Sequence, residues 1–399
     1  MKVGIISVFP NKGSTHTGAI QGYTKNLAQE LAKVSNVTVF TERTDECKST
    51  YDELGVHIVC CWKKGLLYPF NIWFSSLRSK IDIFHIQHEY FLYGGMLSAM
   101  ILPLLLLLLR LKAPVVITLH GIIFKGNVDK LLESNKKKFL GLLVLFILKV
   151  NLRQLAKLSN KIIVHNDYLK EVLVKEYGIA KSDIIVIGHG IEVNEQLDSR
   201  VAKNALNISA SKIILFFGYL VKRKGLETLI EAFEKLKDEL HDTILIIGAG
   251  ETPRLKNDSE YRKYYNYIKR KAESTCNIHF VGFIPEDQLR IYISAANIIV
   301  FPYSVSIAAS GALHISLGFN KIVLCSDIPI FKELLKTEKL LFRAGSSNDL
   351  YIKLTGLLNS SIQEINILQE IVSRLRNDNT WHKVSLKTLA TYMTVLDKS

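Results

Sequence analysis

The sequence predicts an α/β protein of two doubly wound, parallel-sheet domains facing a cleft. Two observations carry this. Short runs rich in Val, Ile and Phe alternate with stretches of helical spacing along nearly the whole chain, which is the pattern of parallel sheets covered on both faces. The 399 residues, 48% hydrophobic and 22% charged, also exceed what one core normally takes, so two are expected.

In order, residues 1–9 read as a buried strand, and GYTKNLAQELAKV as an amphipathic helix. NVTVFTE, VHIVCCW, IDIFHIQ, APVVITLHG, NKIIVHND and DIIVIGHGIEV follow as strands. The weakly patterned NEQLDSRVAKNALNISASK marks a junction, so the first domain is set at 1–200. KIILFFGYL, DTILIIGAG, NIHFVGF, NIIVFPY and IVLCSD then alternate with helices, giving a second domain over 201–375 and a closing helix over 376–399.

The net charge of +14 favours acidic partners. Cysteines at 47, 60, 61, 276 and 325 form no C-x-x-C, which argues against a zinc site or a disulfide framework and for a reducing, cytoplasmic setting. MKVGIISVF runs straight into a strand, so no signal peptide is expected. MLSAMILPLLLLLL (96–109) is short for a bilayer span and interrupted by Pro103, and FLGLLVLFIL (139–148) is shorter still. Two readings stand for them: helices buried against a sheet, or, with Arg110, Lys112, Lys136 to Lys138 and the aromatic-basic stretch 62–80, a domain lying on a membrane surface, at its inner face.

In doubly wound sheets ligands bind beyond the C-terminal strand ends, so the residues there are the candidates. After the first strand comes KGSTHTG, with Gly13 and Gly18 permitting close backbone approach; no Lys-Ser/Thr follows, so it is not a P-loop. His85, His88 and Glu89 cluster near a strand end; the order and context do not match a metal-binding helix, and no metal is expected. His120 ends an apolar strand before Gly121 and reads either as a group acting on a substrate hydroxyl or proton or as a satisfied core histidine. His165 and His189 also close strands, lining the site or shaping the crossover between domains.

In the second half Gly218 ends a strand, and Lys222, Arg223 and Lys224 precede Gly225 and a helix; a phosphate held between them is the favoured reading over a solvated turn. Phe283 and Ile284 could sandwich a flat base, with Gly250 packed under a nucleotide, and Glu286 reads as a first-turn charge. The stretch SVSIAASGALHISLGFNKIVLCSD carries no charge from Ser304 to Asn320. Its small residues Ala308, Ala309, Ser310 and Gly311 read as the start of a helix whose free amides suit a diphosphate, against the plainer reading of close interdomain packing.

Taken together in order and spacing, GSTHTG, ITLHG, IIVHNDYLKEVL, VIGHGIE, FFGYLVKRKGLETLIEAF, LIIGAG, IHFVGFIPEDQL, IIVFPY, GFNKIVLCSD and WHKVSLKTLATY resemble the GT-B-fold glycosyltransferases, most closely the retaining family 4 (group 1) type. The resemblance implies two Rossmann-like domains, with a nucleotide-sugar held in the second and the acceptor mainly by the first. It further implies transfer with retention, and no cofactor or metal beyond the nucleotide-sugar co-substrate. By the resemblance His120 matches the histidine near the donor sugar, Gly13 and Gly18 flank the loop near phosphate and acceptor, Lys224 matches the lysine on the diphosphate, and the closing helix crosses back onto the first domain.

Two departures stand out. The arginine usual after the strand-end glycine falls on Tyr219, with Lys222 or Arg223 as substitutes. Two glutamates eight positions apart fall on Val305 and Leu313. The expected function is sugar transfer from a nucleotide-sugar to a polysaccharide, glycolipid or other glycoconjugate acceptor, saccharide or lipid-linked. The lost carboxylates favour an alternative, a non-catalytic sugar-binding or scaffold subunit. Nucleic-acid binding is not expected, since the aromatics lack base-stacking spacing.

Overall fold

The protein is described by a computed structural model covering residues 1–11, 18–125, 138–236, 239–252, 255–305 and 307–398. It forms two compact units: unit 1 is Met1–Gly190, Ile307–Ala309 and Asn379–Ser399, and unit 2 is Ile191–Ser306 and Ser310–Asp378. The sequence reading put the junctions after 200 and 375. Residues 191–205 belong to unit 2 because Leu197 N donates to Ser294 Oγ (2.9 Å) and Arg290 Nε donates to Glu195 O (3.0 Å), which ties the segment to that unit.

Unit 1 holds β1 (Lys2–Ile6), β2 (Asn36–Glu42), β3 (Thr50–Glu53), β4 (Val56–Trp62), β5 (Ile83–His88), β6 (Val115–Leu119), β7 (Lys161–Val164) and β8 (Ile184–Val186) in the order β3-β4-β2-β1-β5-β6-β7-β8. Every pair is parallel except β3–β4. The antiparallel β3, TYDE, was not expected: its polar residues carry no apolar alternation. β5, IFHIQH, is buried at every position, as a central parallel strand covered on both faces must be.

Around this sheet lie α1 (Ala19–Ala32), α2 (Tyr68–Ser76), α3 (Met96–Met100), α4 (Leu102–Arg110), α5 (Lys138–Leu158) and α6 (Asp167–Tyr177). The leucine-rich run 96–109 is two helices rather than one. Pro103 sits in the first turn of α4, where its missing N–H costs nothing. No helix among the described residues is long and apolar enough to cross a membrane. Cys47 and Cys60 are paired, Cα atoms 5.9 Å apart. This corrects the expectation of no disulfide: the chain after β2 folds back beside β4, which linear spacing does not reveal.

Unit 2 holds α7 (Ser199–Ala205), β9 (Lys212–Tyr219), α8 (Leu226–Leu236), β10 (Thr243–Gly250), α9 (Ser259–Glu273), β11 (Ile278–Phe280), α10 (Glu286–Ala295), β12 (Ile298–Phe301), α11 (Gly311–Gly318), β13 (Val323–Ser326), α12 (Pro329–Leu335), β14 (Leu341–Phe342), α13 (Ser347–Leu358) and α14 (Ile362–Asp378). Its sheet is wholly parallel, in the order β11-β10-β9-β12-β13-β14. The closing helix α15 (Trp381–Leu396) belongs to unit 1 and lies along α1. Trp381 packs edge-on to Tyr23 (5.0 Å between ring centres), and Tyr392 OH lies 2.6 Å from His85 Nδ1.

Each strand order reverses once: between β1 and β5 in unit 1, and between β9 and β12 in unit 2. Chains leaving two neighbouring strands in opposite directions open a crevice at those strand ends.

Candidate functional site

In unit 2 the basic turn and the N-terminus of α11 follow the two strands that flank the reversal, while Gly250 ends β10 and Phe283 and Ile284 follow β11. β9 ends in Gly218 and Tyr219, then the 3-10 turn Lys222–Lys224 brings the chain to Gly225. Gly225 has φ +64°, and a Cβ there would lie 2.0 Å from Pro302 O, so only glycine admits this turn. Gly218 has φ +127°, and a Cβ there would lie 2.5 Å from Lys224 Nζ. The absence of a side chain at 218 is what lets the ammonium sit over the end of β9.

Lys224 is 9% exposed and makes no ion pair among the described residues. Its Nζ lies 5.4 Å from the centre of the Tyr303 ring and 5.9 Å from that of Phe216. Aromatic faces partly offset the lost hydration of a cation but do not neutralise it. The Arg223 guanidinium also lacks a partner among the described residues, while its carbonyl accepts from Ser304 N (2.9 Å) and Ser304 Oγ (3.3 Å). Those bonds lash the basic turn to the chain leaving β12. Lys222 points outward.

The chain after β12 continues through Tyr303 to the N-terminus of α11. Ser310 is the N-cap: its Oγ accepts from Leu313 N (3.3 Å) and lies 3.1 Å from Tyr303 OH. Its hydroxyl is thus occupied by capping, so what this end offers a ligand is backbone amides and the helix dipole. A side chain at Gly311 would meet only open space. Tyr303 joins the two anion-competent features, touching Lys224 with its ring and Ser310 with its hydroxyl. The sequence reading did not single it out; its signal was only that it follows β12 at once.

Ala308 and Ala309 are not the start of this helix, as the sequence reading had them. They belong to unit 1, where Ala308 bridges Gly121 and Ile307 O accepts from Ile122 N (3.2 Å). Val305 and Leu313 are both buried, held as core side chains. His314 donates from Nδ1 to Ser310 O (2.7 Å), and burial lowers its pKa to about 4.

Phe283 and Ile284 part company. Phe283 is half exposed and stacks on Tyr219, ring centres 5.9 Å apart and 21° between planes, an open aromatic pair suited to a base. Ile284 is buried, and a Cβ on Gly248 would lie 2.3 Å from its Cδ1, so it packs on β10 and is not half of a sandwich. Gly250 makes room for Phe283 in the same way, at 2.6 Å. Glu286 opens α10, in the first turn.

In unit 1, Gly13 lies outside the described residues. Gly18 caps α1, its N–H donating to Gln21 Oε1 at 2.7 Å. His120 follows β6, 6% exposed, with both ring nitrogens engaged: Nδ1 is 3.1 Å from His165 Nε2 and Nε2 is 2.8 Å from the Gln87 amide. The proton positions follow from chemistry. His165 Nδ1 faces the Ile187 carbonyl at 3.0 Å, which can only accept, so that nitrogen carries the proton. With one proton on His165, its Nε2 accepts from His120 Nδ1, and His120 Nε2 must itself accept. In the structure the Gln87 amide oxygen faces His120 Nε2 and its nitrogen faces His85 Nε2, 3.2 Å away; this proton arrangement requires the amide in the flipped orientation, with its NH2 toward His120.

Burial, then the neighbouring His165, His189, His85 and His88, hold the His120 pKa well below the usual histidine range. His120 is thus a neutral, internally bonded ring near neutral pH, able to orient a neighbour but not to deliver a proton as imidazolium. Burial likewise brings His85 to about 3 and His88 to about 4. His88 differs in that neither of its buried ring nitrogens has a hydrogen-bond partner among the described residues. His189 donates to Gly190 O (2.8 Å) and its ring lies 5.6 Å from Trp381. Gln87 and Tyr23, whose ring contacts His120, His165, His189 and Trp381, were missed by sequence reading because their partners are scattered along the chain. No cluster of metal-binding side chains occurs among the described residues.

Two parallel-sheet α/β units of this kind make up the GT-B fold, and solved structures similar to this one share it. Sucrose-phosphate synthase from Thermosynechococcus elongatus superposes with a TM-score of 0.77 at 18% identity over 100% of both chains. Anabaena HepE, in complex with UDP and glucose, superposes with a TM-score of 0.70 at 14% identity, covering 99% of this chain and 100% of that one. Spore coat protein SA of Bacillus subtilis is 22% identical over 293 residues, 70% of this chain and 68% of its own length. The description "Glycosyltransferase Family 4" matches residues 20–195 and "Glycosyl transferases group 1" matches residues 198–371. Over these two stretches the chain matches the glycosyltransferase models of family 4 and group 1.

Proposed function

We propose that the chain transfers a sugar, with retention, from a nucleotide-sugar to a saccharide or lipid-linked acceptor in the making of a polysaccharide, glycolipid or other glycoconjugate. The observation that carries the reading is Lys224, a nearly buried cation without an acidic partner among the described residues, set over Gly218 and joined through Tyr303 to the N-terminal amides of α11. An unpaired buried cation is unfavourable unless a ligand anion completes it. A nucleoside diphosphate supplies that anion, and the Tyr219–Phe283 pair supplies a face for its base. HepE, whose solved complexes contain UDP and UDP-glucose, supports this donor class.

As the bond from the anomeric carbon to the diphosphate breaks, the leaving oxygen takes the electron pair. Lys224 and the α11 amides stabilise that charge, which is greater in the transition state than in the bound donor. The acceptor oxygen forms the new bond to the anomeric carbon, and its proton passes to the departing diphosphate oxygen. No side-chain nucleophile is assigned, and no cofactor or metal beyond the co-substrate is invoked. His120 acts by orientation.

We place the reaction at the cytoplasmic face of a membrane, where the Cys47–Cys60 bridge is the feature a reducing compartment would open. A second reading is favoured by one observation: Val305 and Leu313, buried and apolar, stand where the resemblance expects carboxylates on the donor. In that reading the chain binds nucleotide-sugar without turning it over. Calorimetric titration with UDP and a panel of nucleotide-sugars, followed by assay for sugar release and transfer, separates them. Binding with turnover supports the enzyme, binding without turnover supports the second reading, and no binding by folded protein overturns both.

A further inference from the structure

Unit 1 carries a basic pocket and a broad apolar surface that the donor site does not use. The pocket, about 560 Å³, lies between the ends of β2 and β4 and helix α2, and is lined by Arg43, Lys63, Lys64 and Arg78 with no carboxylate among its walls. Among the described residues only Lys64 has an ion-pair partner, Glu42 at 3.3 Å. Lys63 and Arg78 have none among the described residues, and Arg43 donates from Nε to Cys60 O (3.3 Å). Four cations around one concavity, three of them without a carboxylate partner among the described residues, are set up for a polyanionic headgroup.

The same helix is apolar where a soluble helix is polar. Leu67, Phe70, Phe74 and Leu77, at helical spacing from its cap onward, all face solvent, and Phe74, 63% exposed, also lines the pocket. The neighbouring helices continue this surface. Lys112, just after α4, donates to Ser79 O (2.6 Å) and to Ser76 O at the end of α2. Arg110, ending α4, donates to Leu158 O (3.1 Å) at the end of α5. The three helices therefore lie side by side with their C-terminal ends together. Leu107 and Leu111 are exposed on α4, and Leu143, Phe146, Ile147 and Val150 form an outward stripe on α5, with Phe146 64% exposed. Three adjacent helices exposing leucine and phenylalanine exceed the scattered apolar residues of an ordinary surface.

We propose that this face docks on an anionic phospholipid surface, with one lipid phosphate seated in the Arg43–Lys63–Lys64–Arg78 pocket and the α2, α4 and α5 stripes entering the acyl boundary. Charge complementarity selects this occupant: a second copy of this chain would bring like charge to a pocket already holding four cations, whereas an anionic bilayer presents phosphate above hydrocarbon, in the same order as pocket and stripe. The inference sharpens the membrane-surface part of the proposed function, and it stands apart from the donor site in unit 2.

The test is co-sedimentation of the full chain with vesicles of phosphatidylcholine alone or doped with phosphatidylglycerol, at low and high salt. The expected result is binding to the anionic vesicles at least about tenfold tighter than to the neutral ones, weakened by salt. The double variant Lys63→Glu/Arg78→Glu should lose about tenfold on anionic vesicles, and Phe74→Ser/Phe146→Ser should weaken binding to either vesicle. Absence of vesicle binding, or equal binding that ignores Lys63→Glu/Arg78→Glu, overturns the proposal. So does a dimer in solution that Phe146→Ser dissociates, or glycerol 1-phosphate binding as tightly as the vesicle. UDP titration of the same variants reports on unit 2: its retention shows that they fold, and its absence in the unaltered chain would count against the transferase reading alone.

Discussion

The two units each bury polar groups at or near strand ends, but the His120 network of unit 1 and the Lys224 turn of unit 2 are treated differently. In unit 1 the chain Tyr392–His85–Gln87–His120–His165–Ile187 is closed within the protein. In unit 2 Lys224 and the Arg223 guanidinium are left without a carboxylate among the described residues. The contrast shows why a polar residue at a strand end is not by itself a ligand group. A satisfied network holds backbone and ring in place, because every donor there already has its acceptor. An unsatisfied buried cation carries an unfavourable desolvation term that an incoming anion removes. In the sequence His120 and Lys224 both follow strands, but of the two only Lys224 is open to a ligand charge.

The strongest way to break this contrast is Lys224→Ala. It is expected to weaken UDP binding and lower kcat/KM by about 100-fold or more, while leaving the melting temperature unchanged or higher, since an unpaired buried charge is gone. Calorimetry beside thermal unfolding checks both, and wild-type affinity in this variant would remove Lys224 from the site. A second effect comes from acid. His85 (about 3) and His88 (about 4) in unit 1, with His120 lowered beside them, outnumber His314 (about 4) in unit 2. Each has a folded pKa below the ordinary histidine value near 6.5, so between the two values the unfolded chain binds more protons. Stability is therefore full above about 6.5 and falls as pH drops toward the folded values. Hydrogen exchange read unit by unit should show unit 1 opening first; the reverse order would contradict the account of its histidines.

Gln87→Leu takes away the amide that bridges His85 and His120. Leaving these buried ring nitrogens short of a partner should cost about 1–3 kcal/mol, seen as a lower denaturation midpoint with UDP affinity unchanged. A selective loss of UDP affinity would mean that this network reaches the donor after all. The smallest effect is expected from Phe283→Ala. Losing one face of an exposed aromatic pair should weaken UDP by about 0.5–1.5 kcal/mol, and an equal loss for inorganic diphosphate would argue against contact with the base.

Much of this fold was legible in linear order. Buried parallel strands such as KIILFFGYL are continuous apolar runs, and the basic turn before Gly225 announces itself by composition. Other features were hidden for definite reasons. TYDE forms an edge strand by pairing antiparallel with β4, and its residues carry no strand pattern. The leucine-rich stretch was long enough for one helix, but Pro103 divides it. Ile284 looked like the partner of Phe283, yet it packs against Gly248, thirty-six positions earlier in the chain.

The sequence by itself determined the two α/β units, the strand ends at which chemistry could occur, the basic turn at 222–224 and the glycines that allow it. These follow from local pattern: apolar periodicity, and glycine where no Cβ fits. Only the tertiary structure decided which polar residues were already spoken for. His85 meets Tyr392 across 307 positions of sequence, and His120 meets His165 across 45. A hydrogen-bond partner is a matter of distance in space, which a pattern of neighbours along the chain cannot encode.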